Sequence, residues 1–454
     1  MKYQIKIALA VLAIVFLAGC KKEYEEVRPL NVNVQLSVDA TDVWFDVPYE
    51  KAQIKLVNKA NSGVYELNAD ASGKIVLKDL APGVYSINVS LEITAEEYTE
   101  LTGLYREGDF FLNYSLTDKS LFSDENINIE LITSEIVGGF VFKQIYYVGS
   151  HTRDGALMRD QFVEIYNNSS ETLYADSLLF VIAYGKINRN TDAFSLPNNQ
   201  FDWSQSIGMA TTGNANEDYV YAKAIFMVPS DGTGKKYPVE PGKSIVIAQT
   251  AVNHAGSYTD NSGNTIGAQK PELTVDLSKA DFESWLSPYL QKTQGGNPLA
   301  SDVDNPGVPN METYFATSMR DMVLGPQGKD SYVLMKVDQS VNLESLTSYA
   351  IPTTRTITSS TTLYPQLSTK YIIDAVEVQD AVPTDRTPRR LPQRFDSGAI
   401  SVSGGQYSSA SVVRKTLKVV AGRRILKDTN NSTNDFGELS KANPYKGDDS
   451  FLDN

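Results

Sequence analysis

Polar and apolar residues alternate from Asn31 to Val38, which predicts a half-buried strand. The same period recurs over Ala52–Val57, from Lys74 to Leu77 and over Val84–Val89. Turn chemistry separates these runs. Asp70-Ala71-Ser72-Gly73 is one turn, and in Leu80-Ala81-Pro82-Gly83 the proline presets φ while Gly83 is expected to supply a positive φ. Glu92–Leu101 breaks the alternation and reads as a short helix or a decorated loop. Phe110–Leu116 and Ile127–Leu131 then resume as strands and close a first module at 30–133.

Beyond residue 134 the apolar runs become denser. Strands are predicted within Gly138–Ser150, over Phe162–Asn167, over Leu173–Leu178 and, after a Pro241-Gly242 turn, over Ser244–Ala248. Leu277–Leu286 reads as a short helix with Ser278 as its N-cap. Residues 185–220, 250–275 and 293–313 are rich in Asn, Gly, Ser, Thr and Pro and read as long insertions. This second module spans 134–440, and 441–454 is assigned to a C-terminal tail. The fold class is therefore all-β: an N-terminal sandwich followed by a larger, elaborated β domain.

The N-terminus has a different pattern. Lys2 and Lys6 precede an apolar run from Ile7 to Leu17. That run is shorter than the roughly 20 residues a spanning helix needs. It ends in Leu17-Ala18-Gly19-Cys20, which resembles a bacterial lipobox. The resemblance implies a signal peptide over 1–19, a diacylglyceryl group on Cys20 and an acylated tether over 20–29. Each buried methylene supplies about 0.8 kcal/mol, so two or three acyl chains make a lasting anchor. Lys21-Lys22-Glu23-Tyr24-Glu25-Glu26 resembles the signal that sends Bacteroidota lipoproteins to the outer face of the outer membrane, with Tyr24 interrupting its acidic pair.

Composition narrows the function classes. The 454 residues carry a net charge of −14, which disfavours a nucleic-acid partner. Cys20 is the single cysteine, so disulfides and thiolate metal sites are excluded. A hydrophobic fraction of 41% is enough for sizeable cores without such staples.

Three resemblances add to this reading. The Gly73 turn and Leu80-Ala81-Pro82-Gly83-Val84-Tyr85 resemble the Cna-B or carboxypeptidase-regulatory-like sandwich, also described as Ig or transthyretin-like. Such modules serve as stalks, spacers or docking domains, and some carry a Lys–Asn isopeptide crosslink, for which Lys55 is the candidate donor. Phe162-Val163-Glu164-Ile165-Tyr166-Asn167 and Val239-Glu240-Pro241-Gly242 resemble parts of a lamin-tail-like Ig fold. Ser411-Val412-Val413-Arg414-Lys415 and Asp428-Thr429-Asn430-Asn431-Ser432, running on to Asp435-Phe436, resemble the Bacteroidota lipoprotein family DUF4876, whose function is unknown.

Catalytic signals are sparse. His151 and His254 are far apart in sequence, in loops where exposure is expected, and no zinc-binding spacing or nucleophile elbow accompanies them. Gly232-Thr233-Gly234-Lys235-Lys236 lacks phosphate-loop spacing and reads as a turn. No catalytic residue and no cofactor is expected. Hard oxygen ligands occur in Ser301–Asn305 and in Asp428–Asp435, where Asp428, Asn430 and Asp435 are the candidate ligands of a structural Ca²⁺. Arg386, Arg389, Arg390, Arg394, Arg414, Arg423 and Arg424 are expected to pair internally with carboxylates, the alternative being an anionic partner. The reading is a surface-exposed outer-membrane lipoprotein that is not an enzyme; the family resemblance and the location implied by the lipobox, rather than any residue, make a TonB-dependent nutrient transporter or another outer-membrane protein its expected partner. A structural or adhesive surface protein is the alternative, and a hydrolase is a third. Exposed aromatics and long loops of the second module are the expected contact surface.

Overall fold

The computed structural model describes residues 28–38, 43–104, 109–135, 139–169, 171–185, 192–293, 295–420 and 422–453. Cys20 and the rest of the N-terminal segment lie outside the described residues. Among the described residues no helix is long and apolar enough to cross a membrane.

The first module contains strands β1 (Leu30–Val38), β2 (Gln53–Asn58), β3 (Val64–Asn68), β4 (Lys74–Leu80), β5 (Gly83–Ile93), β6 (Phe110–Leu121) and β7 (Glu125–Glu135). They run in the order β3-β2-β5-β6-β7-β1-β4. The sheet folds over because β7 changes partner along its length. Its first half pairs in parallel with β1, and its last residues pair antiparallel with β6. Alternation along β1 sends Val32, Val34 and Leu36 into a core they share with Ile54 and Leu56 of β2 and Ile87 and Val89 of β5.

The break in the pattern is a helix, Ala95–Thr102, started by a capping box. Thr94 Oγ1 accepts from Glu97 N–H, and the Glu97 carboxylate accepts from Thr94 N–H. The Asp70 carboxylate organises its turn by accepting from the N–H groups of Ser72 and Lys74, with Gly73 at φ +78°. The second turn differs from expectation. Its positive φ falls on Asp79, at +56°, and Gly83 already belongs to β5. A Cβ at Gly83 would lie 2.7 Å from Nδ2 of the buried Asn58, which would have to shift to admit it. Lys55, the candidate crosslink donor, forms a cross-strand ion pair with Glu66 at 2.7 Å, both side chains more than half exposed.

Two larger sheets form the second module. One contains Leu179–Ala183, Tyr219–Met227, Ser331–Met335 and Ile372–Glu377; the other contains Phe140–Tyr146, Phe162–Asn167, Ser244–Ala248 and Ser411–Val420. The period of two divides the first sheet's side chains between two cores. Phe180 and Ile182 enter the inter-sheet core, while Leu179, Val181 and Ala183 enter a second core on the outer face. Burial on both faces explains why these strands read as unbroken apolar runs. Phe142 of the second sheet meets Phe180 of the first edge-on, with ring centroids 6.1 Å apart.

Several expected elements take other forms. Leu173–Leu178 yields only the short strand Leu173–Tyr174 before a turn. Ser278 caps no helix. Phe282–Glu283 pairs in parallel with Ile247–Ala248, and a helix forms only beyond the predicted span, at Ser287–Thr293. Tertiary pairing overrides local propensity because Phe282 and Glu283 are both buried. Phe201 and Trp203 of the first insertion point inward and join Tyr221, Tyr349 and Tyr364 in a core of their own, with Trp203 stacked on Tyr221 at 3.9 Å. The residues assigned to a tail are tied in as well. Leu452–Asp453 pairs in parallel with Lys415–Thr416, and Phe451 covers the Lys143 ammonium at 3.7 Å.

Candidate functional site: an aromatic cleft

The helix Ser287–Thr293 is held from below and from behind. Leu286 and Leu290 are buried, and Leu286 N–H donates to Asp302 Oδ2 at 3.1 Å. Just upstream, the Glu283 carboxylate accepts from Ala251 N–H at 2.7 Å and Asn305 N–H at 2.5 Å. Burial pushes Glu283 up to about 7 against those two donors. Trp285, just before the helix, and Tyr289, on its first turn, are both partly exposed and both line the same cleft. Tyr289 Oη accepts from Ala316 N–H at 3.1 Å, which fixes the helix against the strand Glu312–Ala316.

Between helix and strand lies a cleft of about 510 Å³, lined by Trp285, Pro288, Tyr289, Met311 and Tyr314. That volume is in the usual range for small-ligand sites. Its rim is charged. Lys292 and Glu344 pair across it at 2.8 Å with side chains 71% and 64% exposed. Tyr314 Oη donates to Glu312 Oε2 at 3.0 Å, and burial followed by this carboxylate pushes the phenol up to about 12. The cleft offers aromatic faces within reach of carboxylates and an ammonium.

The candidate calcium ligands serve another purpose. Arg414 is buried, and its guanidinium donates to Asp374 Oδ2 at 2.7 Å and Asp428 Oδ1 at 2.8 Å, with Asp435 Oδ2 at 3.7 Å. These carboxylates raise the pKa of Arg414 despite its burial. Asp435 also accepts from Thr429 N–H, Thr429 Oγ1–H and Asn431 N–H. Asn430 turns away at φ +49° and donates to Arg394 O. A guanidinium thus occupies the position the sequence suggested for a cation. Among the described residues no three of His, Cys, Asp or Glu converge on a metal position.

The other arginines also bond internally. Arg390 pairs with Glu377 at 2.8 Å in full burial, and Arg389 donates to the carbonyls of Ser397 and Gly398. Arg386, Arg394 and Arg423 donate to backbone carbonyls, and Arg424 pairs with Asp453. The two histidines have different environments. His151 is exposed, with Nδ1 accepting from Asp154 N–H at 3.0 Å. His254, expected on the surface, is buried with Nε2 3.1 Å from Thr250 O.

The Arg414 strand, the Asp428–Asp435 loop it grips and the aromatic cleft all lie within one recognisable stretch. Residues 240–443 match DUF4876. DUF4876 is described as a protein of unknown function. No curated protein matches the chain. Among solved structures, a DUF4876 family protein from Bacteroides thetaiotaomicron VPI-5482 is 23% identical, covering 90% of this chain and 95% of that one with a TM-score of 0.48. A candidate adhesin from Bacteroides ovatus ATCC 8483 is 13% identical over 47% of this chain and 84% of that one, with a TM-score of 0.18. A candidate carbohydrate-binding protein from Bacteroides uniformis ATCC 8492 is 9% identical over 49% and 99%, with a TM-score of 0.16. At TM-scores below 0.5 these likenesses assign neither ligand nor partner. The DUF4876 match includes Trp285, Tyr289, Tyr314 and Glu344, so every wall of the cleft belongs to it.

Proposed function

We propose that this chain is a non-catalytic binding protein at the cell surface whose DUF4876 region holds a saccharide in the Trp285 cleft. The observation that carries the reading is the meeting of Trp285, Tyr289 and Tyr314 with the charged side chains Lys292, Glu312 and Glu344 in one cleft of about 510 Å³. A sugar ring presents C–H faces that pack on aromatic rings and hydroxyls that bond carboxylates and ammonium groups. The absence of catalysis is part of the proposal. It is supported by the exposed His151, engaged with its own loop, and the buried His254.

The tether of the proposal is the lipid on Cys20, which holds the two modules outside the outer membrane, and the captured sugar passes to a TonB-dependent transporter. The test is a panel of labelled oligosaccharides presented to the purified full chain in detergent. The reading expects capture of a subset of glycans and copurification of a transporter from native outer membranes. Capture of glycans without any transporter would move the role to adhesion. Failure to retain any saccharide would remove the proposed ligand class.

A further inference from the structure

Behind the cleft wall, three polar side chains are buried with oxygen atoms left over. Asp302, Asp321 and Gln249 are each 1% exposed. Asp302 Oδ1, Asp321 Oδ1 and Gln249 Oε1 have no hydrogen-bond partner. The side chains come from three separate segments that are stitched together. Gln249 Nε2 donates to Asp321 Oδ2 at 2.7 Å, Thr250 Oγ1 reaches Ser301 O at 3.5 Å, and Leu299 N–H donates to Arg320 O at 2.9 Å. Asn261 Nδ2 holds Asp302 O at 2.7 Å, and Asp302 Oδ2 accepts from Leu286 N–H.

Two carboxylates in this setting present a charge problem. Among the described residues neither Asp302 nor Asp321 forms an ion pair. An unpaired buried carboxylate costs several kcal/mol, and two near each other cost more. Elsewhere in this fold the same problem is met with an internal cation: Arg414 for Asp374 and Asp428, Arg390 for Glu377, Lys143 for Glu164. Among the described residues no such side chain pairs with Asp302 or Asp321.

We propose that Asp302, Asp321 and Gln249 form a buried site for Ca²⁺. Two carboxylates balance a divalent charge, and the leftover atoms are all hard oxygens of the kinds calcium takes. The remaining shell falls to backbone carbonyls and water. Bound there, the ion fixes the Asp302 loop, and through Leu286 N–H it fixes the start of the helix that carries Tyr289. A proton shared between the two carboxylates is the competing arrangement.

The test uses the full chain stripped with EDTA and exchanged into metal-free buffer. Calcium content is read by mass spectrometry after gel filtration, and melting is followed with and without CaCl₂. The site predicts one Ca²⁺ per chain and a rise in Tm of several degrees with calcium. Asp302→Asn and Asp321→Asn should each abolish the bound metal and the calcium response, and Gln249→Leu should weaken calcium affinity at least about tenfold. Should a carboxylate variant fail to fold, the wild-type metal content and the Gln249→Leu titration still decide the matter. No bound calcium in the folded wild type, or a calcium response that persists unchanged in Asp302→Asn and Asp321→Asn, would overturn the proposal.

Discussion

Arg414 donates to Asp374 at 2.7 Å and in doing so joins the two sheets of the second module. Asp374 stands on the strand Ile372–Glu377 of one sheet, Arg414 on Ser411–Val420 of the other. Asp374 Oδ2 also accepts from Phe142 N–H at 2.6 Å, and Arg414 Nε donates to Phe142 O at 2.8 Å, so a third strand is drawn into the same knot. The loop at Asp428–Asp435 is the other half of this clasp. Its Thr429 carbonyl accepts from Asn113 of the first module.

Removing the guanidinium leaves three carboxylates facing one another in a buried space. Arg414→Met should therefore cost about 3–5 kcal/mol, the usual range when one partner of a buried ion pair is lost. Urea unfolding measures it, and a loss below about 1 kcal/mol would mean that the clasp is not holding the sheets together.

Asn168 acts as a substitute strand. Its Oδ1 accepts from Leu426 N–H at 2.8 Å, and its Nδ2 donates to Leu426 O at 3.0 Å. Asn168→Ala leaves both backbone groups of a buried residue unpaired, for an expected loss of about 2 kcal/mol. Asn168→Asp keeps the acceptor but sets a charge against the Leu426 carbonyl, so it should be at least as damaging. Thermal melts of the two variants order them.

His254 makes stability depend on pH. It is buried edge-on to Tyr258 with a ring-centroid distance of 5.8 Å, and Arg159 and Asp276 are the charged groups that act on it. Burial pushes its pKa from 6.5 down to about 4. The unfolded chain then takes up a proton near pH 6.5 that the folded chain refuses until near 4. Stability present above pH 6.5 is lost as pH falls toward 4, by at most about 3 kcal/mol from this group. His254→Gln retains a donor for Thr250 O but cannot titrate. Its melting temperature should gain on that of the wild type as pH falls from 7 to 4.5, and parallel curves would show that His254 is not responsible.

Much of the framework was legible from patterning. The alternation over Asn31–Val38 places Val32, Val34 and Leu36 in the core, and the apolar runs over Phe162–Asn167 and Ser244–Ala248 are strands buried on both faces. The break over Glu92–Leu101 leaves a helix and a decorated loop both open, and the Thr94–Glu97 capping box resolves it as the helix Ala95–Thr102. The cleft was not legible. Trp285 and Tyr314 approach only because Phe282–Glu283 leaves a predicted helix to pair with Ile247–Ala248, and that choice is made by long-range burial. The Asp428–Asp435 loop misled for a related reason. Its oxygens suit a cation, but the partner is a guanidinium from a different strand. Asp302 lay within a noted oxygen-rich segment, yet Asp321 and Gln249 are brought to it by the fold alone.

The saccharide cleft is tested most directly by calorimetric titration of the wild type and Trp285→Ala with an oligosaccharide that the full chain retains. Trp285 is partly exposed, so its removal should leave the melting temperature within a few degrees. Losing an aromatic platform should weaken binding by about 2 kcal/mol or more, a drop in affinity of about thirtyfold. Equal affinity for the two proteins would contradict the account and place the ligand elsewhere.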